Sequence, residues 1–254
     1  PDEVIPAVFG GDVAPHLRAG SAIAFGSGYT LALGLIHAPA SVDVLLVAPR
    51  MAGGQARSRY LEGQTFSACV NVEADPSGRA QQRMLGLADG LGVLRAGAVQ
   101  MSAAMEATLD LFIEQSVGSV LGMAIMMAFE VARDAGIPPE ALVLEMYMSG
   151  EMEAVSRGFR EMGFFRASED HGPTAVFGGI TRSLEMDREE MAARFRQTFE
   201  DIKSGGFARR FQDEARNGYP MLEFARAMMH GGSPIAEAED RIRRLTSPEQ
   251  GGPA

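Results

Sequence analysis

Two carboxylates, Asp110 and Glu114, stand four residues apart in the run Leu109-Asp110-Leu111-Phe112-Ile113-Glu114-Gln115. On a helix that spacing puts both on one face, one turn apart. The apolar residues Leu111, Phe112, Ile113, Val117, Val120 and Leu121 around them predict a helix that is largely buried. Like charges embedded in such a helix are costly unless a cation or a base offsets them. A divalent ion is one such offset, because Mg²⁺ takes carboxylate oxygens and keeps several waters. The other is a nearby arginine answering an ordinary helix-surface pair. Spacing alone leaves both open.

The elements that must position this pair are of two kinds. Ala22-Ile23-Ala24-Phe25, Val42 to Val47 and Ala68-Cys69-Val70-Asn71-Val72 are predicted to be buried strands of a parallel sheet. A glycine-containing loop, Met51 to Gln55, follows the second strand, and a turn at Asp75-Pro76-Ser77-Gly78 leads into a helix over residues 79–87. Beyond residue 102 the strand signal stops. Helical patterns cover residues 104–133, 140–148, 151–162, 174–184, 188–204, 208–217 and 234–245, with a polar Gly/Pro tail over 246–254. The division expected is an α/β part over residues 1–101 and an all-α part over 102–254.

Composition narrows the function classes. A net charge of −10 argues against nonspecific nucleic-acid binding. The single cysteine, Cys69, rules out an intrachain disulfide and fits a reducing cytoplasm. The most apolar stretch, Val117 to Val131, is broken by Gly118, Gly122 and Glu130, so no membrane-spanning segment is expected. The chain opens on Pro1-Asp2-Glu3-Val4 with no initiator Met and no signal pattern, which predicts a start inside a longer protein.

Several ordered segments resemble the ketol-acid reductoisomerases of branched-chain (valine and isoleucine) biosynthesis, in their short bacterial-type form. They are Pro1-Asp2-Glu3-Val4, Val42-Asp43-Val44 with Val47-Ala48-Pro49, Tyr60 with Glu62-Gly63, and Asp75 with Ser77-Gly78. Arg95-Ala96-Gly97, Asp110-Leu111-Phe112 with Glu114-Gln115, Gly206-Phe207-Ala208 and Ser233-Pro234-Ile235 continue the set. The resemblance implies a Rossmann-type NADP-binding domain, here only its C-terminal part, followed by a knotted helical domain. It implies Mg²⁺-dependent alkyl migration in a 2-acetohydroxy acid and reduction of the resulting 2-keto acid by NADPH. It also implies a homodimer or larger assembly in the cytoplasm, with no nucleic-acid or membrane partner.

The same resemblance assigns residues. Asp110 would bridge two Mg²⁺ ions, Glu114 would bind one of them, and Glu145 would complete the metal set. Asp2, Glu3, Val4, Ile5 and Gly53 would line the nicotinamide side of the cofactor. Bland readings stand beside these, with Asp2 as a helix cap, Gly53 as a turn residue and Glu145 as an acid on a short helix. Four positions depart from the family pattern. Ser27 stands where the family has a histidine near the reacting centre, and Arg50 stands for a lysine. Ser149 stands for the acid one turn after Glu145, and Gly172 falls, by a loose alignment, at the serine that holds the substrate carboxylate. No G-x-G-x-x-G follows a strand, so the pyrophosphate-binding start of the nucleotide domain is not in this sequence. A divergent reductase of another 2-keto acid, and a noncatalytic dimeric paralogue that binds a metabolite, are the rival functions.

Overall fold

The computed structural model describes residues 2–230 and 232–246. The first part of the chain alternates strands and helices: α1 (Ile5–Val8), β1 (Ala22–Phe25), α2 (Tyr29–Ala32), β2 (Asp43–Pro49), α3 (Gly53–Leu61), β3 (Ala68–Ala74), α4 (Ala80–Gly90), α5 (Val93–Ala96) and β4 (Ala98–Gln100). Helices then follow one another: α6 (Ala103–Ile113), α7 (Ser119–Asp134), α8 (Pro139–Val143), α9 (Glu151–Met162), α10 (Phe164–Ser168), α11 (Gly172–Glu185), α12 (Arg188–Lys203), α13 (Gly206–Arg216), α14 (Pro220–His230) and α15 (Pro234–Thr246). Two compact units result, one of Pro1–Gln115 with Thr198–Ala215, the other of Ser116–Gln197 with Arg216–Ala254.

The first unit is built on a four-stranded sheet of order β1-β2-β3-β4. β2 is the organising strand. Its successive side chains point to opposite faces, and both faces are covered. Leu45 and Val47 pack with Ala56, Ala80, Met84 and Ala88 of α3 and α4. Leu46 and Ala48 pack on the other side with Cys69 and with Ala103 of α6. In α4, the buried residues Ala80, Met84 and Ala88 recur at helical spacing, which makes the stripe that meets the sheet. The Asp75 carboxylate accepts the Ala80 N–H at 3.0 Å and so satisfies one orphan donor of the α4 start.

The parallel sheet expected from the sequence is corrected to a mixed one. β1 pairs with β2 and β3 with β4 in parallel, but β2 and β3 run antiparallel, with Ala48 opposite Cys69. A strand buried on both faces has the same apolar run whichever way its neighbour points, so the pattern carried no direction. β1 is only half covered, and the short β4 and the helix α3 lay outside the expected elements. α3 opens on Gly53-Gly54, residues of low helix propensity that read as a loop. α14 was also missed, although Pro220 at its first position is a helix-start signal.

In the second unit the core is made by Phe129 of α7, Val143 of α8, and Ala238 and Ile242 of α15. Tyr147 donates its hydroxyl to Glu239 at 2.6 Å beside this core. Burial and the Glu239 charge together push the Tyr147 phenol well above its ordinary range.

The helical run Ala103–Asp134 differs from expectation in two ways. It is long and apolar enough to cross a membrane by length and composition, and it is largely exposed rather than buried. Leu109, Ile113, Val117, Leu121, Met123, Met126, Met127 and Val131 all face outward, Val131 by 71%. The run is not uniformly α-helical, since Glu114–Gly118 forms a π-helical turn. Such one-turn π segments insert a residue and turn the following face, and they are frequent at functional sites. A second one, Leu144–Met148, carries Glu145.

Candidate active site

The site grows from the C-terminal ends of β1 and β2, where Phe25 leads into Ser27-Gly28 and Pro49 leads into Arg50. α6 packs against α2 and β3, with Ala103 against Leu46, Ala48 and Cys69. It starts at Ser102, whose hydroxyl accepts the Met105 N–H at 3.3 Å. The Ala103 N–H donates to Glu73 at 2.7 Å, which ties the helix start to β3. Glu106, Asp110 and Glu114 then follow at intervals of four along one face.

Glu106 is 1% exposed. A buried carboxylate needs donors on its oxygens, and this one has two. The Gly28 N–H donates to Oε2 at 2.6 Å, and Arg50 Nη2 pairs with Oε1. Arg50 is held at two further atoms. Its Nε donates to the Ala48 carbonyl at 3.3 Å and its Nη1 to Asp110 Oδ1 at 3.2 Å. The guanidinium thus spans two acids of one helix from the end of a strand, a geometry that a planar fork permits and a point ammonium does not. Gly28 is required here for space: a Cβ at that position would lie 2.7 Å from Glu106 Oε2 and would run into the Ala103 carbonyl.

Glu114 follows the last residue of α6 and opens the π turn. Partial burial raises its pKa, and the charges of Asp110 and Asp2 raise it further. Asp2 is pushed up in the same way, by burial first and also by Glu3 and Asp110. Asp2, Asp110 and Glu114 therefore share a region of unbalanced negative charge, for which Arg50 supplies one positive charge. The donor set fits one hard divalent cation, with two carboxylates and the remaining positions left to water or substrate oxygens. Among the described residues, no group of three or more His, Cys, Asp or Glu side chains converges as a metal cage.

The other expected positions fall as follows. The Ser27 hydroxyl accepts the Tyr29 N–H at 3.2 Å, a local bond that shapes the turn into α2 next to Gly28. Val4 and Ile5 line an apolar hollow of about 260 Å³ with Val8, Phe9, Ile23 and Phe25. Gly53 is the first residue of α3. Glu145 and Gly172 belong to the second unit, Glu145 in the π turn and Gly172 at the start of α11 with φ of +79°. His171, beside it, lines a hollow of about 420 Å³ with Glu151, Val155 and Met162. Sequence reasoning did not single out Glu106, although its place four residues before Asp110 on the same face was readable.

Fold and site together define a two-part protein, an α/β region whose strand ends meet a carboxylate-bearing helix, followed by further helices. The sequence pattern of the "Acetohydroxy acid isomeroreductase, NADPH-binding domain" matches residues 1–97, and that of the "Ketol-acid reductoisomerase, C-terminal domain" matches residues 104–247. The chain belongs to the ketol-acid reductoisomerase family. It is 34% identical over 252 residues to the ketol-acid reductoisomerase (NADP(+)) of Methanothermobacter thermautotrophicus, covering 98% of this chain and 76% of that protein. It is 34% identical over 230 residues to the enzyme of the same name from Methanocaldococcus jannaschii, covering 90% of this chain and 69% of that one. An NADH-preferring ketol-acid reductoisomerase from an uncultured archaeon superposes with a TM-score of 0.89 at 30% identity, over 98% of this chain and 74% of that structure.

Proposed function

We propose that this chain works as an NADP(H)- and Mg²⁺-dependent ketol-acid reductoisomerase, converting 2-acetohydroxy acids in branched-chain amino-acid biosynthesis. The observation that carries the reading is the delivery of Asp110 and Glu114, by one helix, to the edge where β1 and β2 end. That edge is where ligands sit in open α/β sheets. Residues 1–101 would serve the cofactor and 102–254 the metal and substrate, a boundary supported by the gap between the two family matches at 97 and 104.

Mg²⁺ at Asp110 and Glu114 would supply Lewis acidity to the carbonyl and hydroxyl oxygens of the substrate, and NADPH would supply the hydride. This chain's own residues do the holding. Arg50 fixes Asp110 in direction, and Glu106 keeps Arg50 in place. The resemblance gives Glu145 as the third acid of the family's metal set. Val4 and Ile5 offer an apolar wall for the nicotinamide ring, and the resemblance adds Asp2, Glu3 and Gly53 to the cofactor side. Ser27 takes the position of the family histidine and Gly172 that of the substrate-binding serine. A serine hydroxyl is a poorer acid–base group than an imidazole, and glycine offers no side-chain donor.

The reading includes a cytoplasmic homodimer, in which a second copy covers the outward apolar face of residues 103–134. That reading accounts for a membrane-length apolar helix that also carries Glu106, Asp110 and Glu114. A second reading, reduction of another 2-keto acid without alkyl migration, is favoured by the Arg50–Asp110 pair and by Ser27 and Ser149 at acid–base and ligand positions.

NADPH consumption with 2-acetolactate separates the two. The first reading expects Mg²⁺-dependent oxidation that Asp110→Asn lowers by a hundredfold or more, an order typical of losing a metal's charge stabilisation. Oxidation with a simple 2-keto acid but none with acetolactate would move the assignment to the second.

A further inference from the structure

The resemblance that first suggested a metal site gives Asp110 the role of bridging two ions. A carboxylate that bridges offers one oxygen to each ion, and here the two oxygens of Asp110 are not equivalent. Oδ1 accepts Arg50 Nη1 at 3.2 Å, which leaves Oδ2 for a ligand. We infer that the site holds a single divalent cation, with the Arg50 guanidinium occupying the place beside Asp110 that a second cation would take. The inference rests on the metal reading of Asp110 and Glu114 above.

Arg50 cannot readily withdraw to make room. It is tied at three atoms, to the Ala48 carbonyl, to Glu106 and to Asp110. Its partner Glu106 is 1% exposed and is fixed in turn by the Gly28 N–H. Moving the guanidinium outward would leave a buried carboxylate with one donor and no countercharge, a state that proteins avoid. A second divalent ion at Oδ1 would lie against a permanent positive charge that does not deprotonate. The residue types point the same way. Ser149 stands where the family pattern has an acid, while Arg50, in place of the family lysine, pairs with two acids, Glu106 and Asp110. With Arg50 fixed on Asp110 Oδ1, Asp110 Oδ2 and Glu114 remain to hold one dication.

Mn²⁺ titration of the full chain, followed by equilibrium dialysis and electron paramagnetic resonance, tests this without turnover. The expected result is one tightly bound Mn²⁺ per chain with the hyperfine pattern of an isolated ion. Arg50→Lys, which keeps a charge for Glu106 and releases Asp110 Oδ1, should raise the stoichiometry towards two and bring in the exchange-broadened signal of a spin-coupled pair. Two coupled ions in the unaltered chain would overturn the inference while leaving the metal reading intact. A variant that folds, as judged by its melting curve, yet still binds one ion would also overturn the role given to Arg50. No bound Mn²⁺ at all would remove the metal reading itself, and the inference with it. If the variant does not fold, the stoichiometry of the unaltered chain decides.

Discussion

Glu106 and Asp43 show how single acids are made tolerable in this core, and each leads to a measurement. Glu106→Ala would leave the Gly28 N–H without its acceptor and Arg50 without its buried countercharge. Breaking a buried pair from one side costs about 3–5 kcal/mol, so denaturant unfolding should show a loss of that order, with Glu106→Gln milder because it still accepts from Gly28. Asp43, at 0% exposure, accepts from the Ser77 amide and hydroxyl at 3.1 and 2.7 Å and from Arg83 at 2.8 Å. Burial alone would raise its pKa, but the Ser77 hydrogen bonds and the Arg83 charge win and hold it below the ordinary carboxylate value. A depressed pKa in the folded state contributes stability that is fully present above the unfolded-state value of about 4 and is lost as pH falls through the folded value. Melting temperature should therefore fall on acidification below about pH 5, and Asp43→Asn should flatten that part of the curve while lowering stability at neutral pH. The acids on α6 were legible from their spacing. Their cation was not, because Arg50 lies 56 and 60 residues away from Glu106 and Asp110 in the chain.

At the level of elements, β2 and α4 carry the core of the first unit. Met84 is 1% exposed and sits between Leu45, Val47 and the rest of that cluster. Met84→Ala should cost about 2–5 kcal/mol in chemical denaturation, the range for emptying a buried large side chain. An exposed apolar residue on the same chain, Leu61, should cost far less when truncated. Most elements could be placed from period and punctuation: the strands at 22–25, 43–49 and 68–74, and the long helices after residue 102. Strand direction was not available, since a doubly covered strand is apolar in either orientation. Nor were the π turns at 114–118 and 144–148, which depend on one extra residue being accommodated by packing rather than on any side-chain type.

At the scale of the whole molecule, many large apolar side chains are exposed among the described residues. Besides the outward face of α7, Phe164 and Phe165 stand 61% and 83% exposed, and Phe177, Leu184, Phe224 and Met228 are likewise uncovered in the second unit. Patches of this kind mark association surfaces. Sedimentation of the intact protein should give a dimer, and Met127→Glu, a charge on the exposed face of α7, should shift it towards monomer and lower its melting temperature. A monomer at micromolar concentration for the unaltered chain would reject the homodimer.

Local chemistry, then, is written in the order of residues: one helix face bearing Asp110 and Glu114, apolar runs long enough for strands, and motif spacing that resembles the ketol-acid reductoisomerases. Period and spacing act over a few residues, so a linear reading reaches them. The tertiary structure decided what those residues meet. It brought Arg50 from the end of β2 onto Glu106 and Asp110, placed Gly28 close enough to α6 that only a glycine fits, and left the most apolar helix uncovered. Each of those outcomes is a contact, or the lack of one, between segments distant in sequence, and it follows from packing in space rather than from composition along the chain.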